Sequence, residues 1–274
     1  MKKRFFLVLL LLLLVISCLL FLLHSCMPVV FPPIQTTIPT TVPASRSTAA
    51  STTVTTTASS KASSVSNQTP ATTAVSTEVY VSPIDFDAFH AQNEDIYAYI
   101  EIPGSDISYP VVQSATDDAY YLKHDIDGNE TSRGAIFSEH QYNSNDFSDP
   151  VTILYGHRRK DMTMFSTLQP LYSDVEHFEQ YREIIIYLPD RELHYRIFAA
   201  IPYDNRHILY TYDFSNARDF TVFFNSVFGT RVIGANVDMQ AWPDYDDSIL
   251  ILSTCLWGDN NQRYLVIASL MEDE

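Results

Sequence analysis

Ser248-Ile249-Leu250-Ile251-Leu252-Ser253-Thr254-Cys255 decides how this chain is read: four branched apolar residues, two hydroxyls, then the one cysteine after residue 26. A short continuous apolar run bounded by polar residues is the pattern of a strand buried on both faces. Outward from it, β-rich runs recur at 107–112, 134–138, 151–155, 183–188, 193–201 and 263–271, most of them separated by turn residues. One helix interrupts them. Phe220, Phe223, Phe224, Val227 and Phe228 fall at i, i+3, i+4, i+7 and i+8, with Gly229 placed to cap the end. A phenylalanine stripe at that spacing is core packing rather than a ligand box. Helix signals also open the region, with Ser82 as N-cap, Pro83 and Asp85 in the first turn and Phe86 and Phe89 on one face. A second helical piece is expected around Glu94 to Tyr99, stopping at Pro103-Gly104. Many short strands and few helices predict a mainly β fold, a closed or nearly closed barrel with N-terminal helices, rather than a doubly wound sheet.

The first 77 of the 274 residues do not read as globular. Lys2, Lys3 and Arg4 precede an unbroken apolar stretch from Phe5 to Leu23. At about 1.5 Å per residue that stretch matches the roughly 30 Å hydrocarbon core of a bilayer. Basic residues before the span and none for some distance after it predict a cytoplasmic N-terminus and an extracytoplasmic remainder. Residues 1–26 are therefore read as a cytoplasmic stub and signal-anchor helix. The rival is a cleaved or lipidated signal peptide, since Ser17-Cys18 and Ser25-Cys26 each loosely resemble a modification site. Against it, cutting before Cys18 would leave Leu19 to Leu23 as an apolar stub.

Residues 27–79 form a Ser/Thr/Pro/Ala-rich stretch with Phe31 as its aromatic residue and Arg46 and Lys61 as its basic ones. Such a segment cannot bury enough apolar surface to offset its ordering entropy, so it is expected to be a disordered linker. Its coil-like reach is on the order of 40 Å. Residues 80–274 are then the folded extracellular domain. All 33 acidic residues follow Thr77, against 12 of the 17 basic ones, for a formal charge of about −21. Nucleic acid is an improbable partner for such a surface.

Cys255 has no disulfide partner in its own domain, so it is either an inert buried thiol or a nucleophile. Its position tells for the second. It follows polar Ser253 and Thr254 at a strand end, where reactive groups are usually displayed. A thiol with a pKa near 8.5 needs a base or a cation beside it. Of eight histidines, only His157 ends a strongly apolar strand, Val151 to Tyr155, through Gly156, a residue that permits a sharp exit. Arg263 lies eight residues beyond Cys255 and would return beside the thiol if the two strands form a hairpin. Taken alone, Arg263 is an ordinary surface charge at a strand start.

Leu252-Ser253-Thr254-Cys255 followed by Arg263 resembles the strand-borne signature of the sortases, cysteine transpeptidases of Gram-positive cell surfaces. Tyr155-Gly156-His157 with Met162 to Phe165 is similar to their histidine motif. Pro103 to Gln113, continuing to Asp117-Asp118-Ala119-Tyr120-Tyr121-Leu122, looks like the N-terminal block of class B. The resemblance runs from Ile84 to Met271 and implies an eight-stranded β-barrel with N-terminal helices and a helix inserted before the cysteine strand. It implies a membrane-anchored, single-pass enzyme in which Cys255 attacks a C-terminal sorting signal, His157 acts as acid and base, and Arg263 holds the oxyanion. An amine of peptidoglycan or of another surface protein, such as a pilin, would resolve the thioacyl enzyme. Leu122, Asp118, Ser253 and Thr254 match substrate-binding positions.

The chain departs from the family pattern in three places. Arg158 and Arg159 follow His157 where relatives often carry Asn or another polar residue, Asp118 stands where an asparagine is expected, and the loop from Cys255 to Arg263 is shorter than in some class B members. A hydrolytic cysteine peptidase and a non-catalytic adhesion module are the competing readings. No cofactor is expected. Asp244-Tyr245-Asp246-Asp247 reads as a solvated loop rather than a metal site.

Overall fold

The computed structural model describes residues 80–271. The expected anchor, 1–26, and linker, 27–79, lie outside the described residues, and no described helix is long and apolar enough to cross a membrane.

Nine strands make one sheet: β1 Ile96–Glu101, β2 Ser108–Val112, β3 Ile136–Phe137, β4 Val151–Tyr155, β5 Glu183–Tyr187, β6 Glu192–Asp204, β7 Asn236–Val237, β8 Ile249–Leu256 and β9 Asp259–Leu270. The order is β5-β1-β2-β3-β4-β8-β9-β6, and β6 pairs back onto β5, so eight strands close a barrel while β7 hangs on the far side of β6. Closure removes the free edges that an open sheet would expose. Most neighbours run antiparallel, but β2–β3 and β4–β8 are parallel. The parallel β4–β8 pair brings together segments about a hundred residues apart in sequence and leaves their C-terminal ends on the same rim.

β8 shows why the apolar run reads as continuous. Leu250 and Leu252 point into the barrel with Ile100, Leu154, Tyr195 and Val266, all buried. Ile249 and Ile251 point outward into a second core with Ile153, Phe198, Leu265 and Ile267. That outer core is roofed by α5, Ala217–Phe228, whose Phe220, Phe223, Phe224, Val227 and Phe228 are all buried, as the 3.6-residue period requires. Asn216 caps α5 by accepting the Arg218 N–H at 2.9 Å, and the Gly229 N–H closes its other end onto Asn225 O. The helices between these elements are α1 Phe86–Gln92, α2 Leu168–Tyr172, α3 Val175–Gln180 and α4 Ile208–Thr211.

The sequence expectation fails at one element. Glu94 to Tyr99 is not helical: α1 ends at Gln92, Asn93 caps it, and β1 occupies Ile96–Glu101. Ile96, Tyr97, Ala98 and Ile100 are buried between β2 and β5, and a contiguous apolar run of that length fits either state until its neighbours are known. Among the described residues, a single helix therefore precedes β1. Its N-cap is Asp85, whose carboxylate accepts the Ala88 N–H at 3.0 Å, while Ser82 accepts from Ile84 in the preceding turn. Boundaries also move, with β3 reduced to Ile136–Phe137 and β9 starting at Asp259, before Arg263.

Candidate active site

Tyr155 pairs with Ser253 at the end of the β4–β8 ladder, and the Gly156 N–H continues it to Ser253 O at 3.1 Å. Two residues beyond that pair stand His157 on one chain segment and Cys255 on the other. On the opposite side of β8, Cys255 pairs with Arg263 of β9. Because side chains alternate along a strand, Cys255 and Arg263 share the outward parity of Ile251 and Leu265. Cys255 is half-buried and is the free cysteine of the described residues.

These residues border a cleft of about 240 Å³ that also takes in Leu122, Phe137, Glu139, Tyr155, His207, Ser253 and Thr254. Six of the seven site residues expected from sequence thus lie on one cleft: Leu122, His157, Ser253, Thr254, Cys255 and Arg263. Asp118 does not. It lies outside the lining, where its carboxylate accepts the Gln141 N–H at 3.4 Å. Ser253 and Thr254 are both buried, and the Thr254 hydroxyl, on the inward parity, has no hydrogen-bond partner.

The His157 ring is held by a main-chain acceptor. Its Nε2 lies 2.8 Å from Leu122 O, and since a carbonyl only accepts, Nε2 carries the proton and Nδ1 is the nitrogen left for exchange. Leu122 ends a 3-10 turn, Tyr120–Leu122, pinned by Ala135 N–H to Tyr121 O and Thr131 N–H to Lys123 O. Tyr120 stacks on His124 at 3.9 Å, which stiffens the same turn. Gly134, at φ +61, passes so close that an added Cβ would stand 3.1 Å from His157 Cδ2. Gly156 is needed for space, not for its backbone angles. A Cβ there would come within 2.6 Å of Ile136 Cδ1 and of the Phe165 ring.

Arg263 Nη1 donates to the carbonyls of Asn260 at 3.2 Å and Gln262 at 3.3 Å. Among the described residues no carboxylate pairs with it, so its charge is free to act on the cleft. Elsewhere on the cleft lining, His207 Nε2 donates to Glu139 Oε2 at 2.7 Å while Nδ1 accepts the Tyr210 N–H and caps α4. This pair fastens α4 to the barrel and makes it a wall of the cleft. Burial first, then the Glu139 carboxylate, pushes the Tyr155 phenol above its usual range, with Arg263 pulling the other way. Neither Glu139 nor His207 was legible as a site residue. They are 68 positions apart, and nothing in either local sequence announces the other.

No group of three metal-ligating side chains gathers among the described residues. Asp247 folds back to accept the Asp244 N–H, which keeps that acidic loop closed on itself.

A sortase-domain family model matches residues 100–271. The chain is 30% identical over 185 residues to sortase B of Listeria monocytogenes, which is 68% of this chain and 71% of that protein. It is 26% identical over 189 residues to sortase B of Staphylococcus aureus, covering 68% and 75%. The solved Staphylococcus aureus sortase B–substrate complex matches with a TM-score of 0.58 at 26% identity, covering 69% of this chain and 85% of that one.

Proposed function

Since the chain belongs to the sortase family, within class B, and is an enzyme of the cysteine transpeptidase type, we propose that Cys255 is its nucleophile, His157 its acid and base and Arg263 its oxyanion holder. The observation that carries this is the register: β8 sets Cys255 between the end of β4, which leads to His157, and Arg263 on β9. The substrate is a C-terminal sorting signal on a surface protein, laid across the cleft with Leu122, Ser253 and Thr254 against it. A likeness to a relative solved with its substrate supports that class of ligand.

The Cys255 thiol gives its proton to His157 Nδ1 and its sulfur adds to the scissile carbonyl. The negative oxygen of the tetrahedral species faces the Arg263 guanidinium, where a preorganised donor is worth most. Collapse breaks the C–N bond, and the proton on Nδ1 goes to the departing amine, leaving a thioester. An incoming amine of peptidoglycan or of a pilin then attacks the thioester and gives its proton to Nδ1. As the C–S bond breaks, the thiolate takes that proton back. The Leu122 carbonyl keeps the ring oriented throughout. Residues 1–26 hold the enzyme in the membrane as a single-pass anchor, and 27–79 let the domain reach the wall.

The full chain in detergent, given a panel of sorting-signal peptides with and without an oligoglycine amine, tests this. A peptide–amine product that requires Cys255 is expected. Cleavage by water alone, unchanged by amine, would instead make the enzyme a hydrolase. Protease accessibility of the domain on intact cells tests the membrane topology.

A further inference from the structure

The hairpin carrying Cys255 and Arg263 is irregular at its tip. Leu256 pairs with Asp259 across a two-residue turn in which Gly258 has φ +90, yet Cys255 pairs with Arg263, so Asn260, Asn261 and Gln262 bulge from β9. Three extra residues on one strand break the ladder just where the thiol and the guanidinium must be aligned. Something outside the hairpin has to hold it.

Arg158, the residue after His157, reaches both sides of this bulge. Its guanidinium carbon lies 4.5 Å from the centroid of the Trp257 ring, within cation–π range. Its Nη2 donates to Asn260 Oδ1, and the carbonyl of the same Asn260 accepts from Arg263 Nη1. Trp257 is itself tied down, its backbone N–H to Gln169 Oε1 at 2.7 Å and its indole N–H to Ser166 O at 3.1 Å. Those two partners lie on the segment that follows His157. In a domain of formal charge about −21, an arginine kept for its charge would be expected on a carboxylate. Among the described residues Arg158 has none, and its Nε is buried without a partner.

We propose that Arg158, Trp257 and Asn260 form a brace that locks the His157 segment to the cysteine hairpin, making Arg158 a positioning residue for transfer. This rests on the catalytic roles assigned above. It also joins two departures from the family pattern, the arginine after the histidine and the short loop after the cysteine, into one contact.

The test compares the full-length parent with Arg158→Gln, Arg158→Lys, Trp257→Ala and the double variant Arg158→Gln/Trp257→Ala. Two readouts are taken well below each variant's Tm: kcat and KM for peptide transfer, and the pH profile of Cys255 alkylation by iodoacetamide. Arg158→Gln should lower kcat about tenfold, equivalent to about 1.4 kcal/mol, with KM within about twofold and a displaced alkylation profile. Arg158→Lys should fall between, keeping a cation near the ring but losing the planar guanidinium that meets the ring and Asn260 Oδ1 at once. The double variant should lose no more than the worse single one, as expected of groups acting as a unit. A kcat within about twofold of the parent, an unmoved alkylation profile, or losses that multiply in the double variant would each overturn the brace. If the parent itself transfers nothing, the assigned function fails, while the alkylation profile still decides the brace.

Discussion

Cys255 faces Arg263 across β8 and β9, and the register of the two strands breaks at the next residue, Leu256. The pairing therefore belongs to the last regular rung of the ladder. Cys255→Ala and His157→Ala should each abolish peptide–amine product. Arg263→Ala should leave the thioacyl step slowed by about 30- to 1000-fold, or roughly 2–4 kcal/mol of transition-state stabilisation. Mass spectrometry of the acylated enzyme checks this: an adduct on Cys255→Ala would refute the assignment.

Gly156→Ala puts a methyl group where Ile136 and Phe165 already stand. Overpacking of this kind costs about 1–3 kcal/mol. Because the residue lies between Tyr155 and His157, turnover should fall along with Tm. Parallel thermal melts and initial rates measure both, and a normal rate in a destabilised protein would show that the glycine serves packing alone.

Glu139→Ala frees the His207 ring from its acceptor at the foot of α4. With the wall loosened, KM for the sorting peptide should rise several-fold while kcat changes little, the pattern of lost uniform binding. His207→Ala should do the same and also lose an N-cap worth about 1 kcal/mol. Steady-state kinetics on both variants separates the two parameters.

Away from the site, Asp238 accepts from Arg182 Nη2 at 2.7 Å, and Arg182 Nε also donates to Ile197 O. The Arg182 hydrogen bond, helped by the Gln240 N–H, holds the Asp238 carboxyl below its usual range. A depressed folded-state pKa contributes stability above the unfolded value near 3.9 and loses it as pH falls toward the depressed one. Asp238→Asn should therefore cost about 1–3 kcal/mol at pH 7. Urea melts should show the gap between variant and parent closing below pH 4.

The sequence carried the parts of this molecule whose signal is local. The phenylalanine period of α5 and the apolar run of β8 both stand where their patterns put them. That Cys255, His157 and Arg263 would stand near one another was legible, because each ends or borders a strand, and all three line one cleft. β1 was misread since Ile96, Tyr97, Ala98 and Ile100 are all packed into apolar cores, which erases the polar–apolar alternation that separates strand from helix. Asp118 was placed by motif alone, and the fold turns it toward Gln141 instead of the cleft. Glu139, His207 and the contacts of Arg158 depend on side chains meeting across long sequence separations, for which the chain offers no local cue.

The parallel pairing of β4 with β8 has a consequence for timing. His157 and Cys255 meet through a contact that spans about a hundred residues, and such contacts are among the slowest to form. Until β8 slots between β4 and β9, Cys255 and His157 have no common cleft to line. The cleft that both residues line is therefore complete only once the ring has closed.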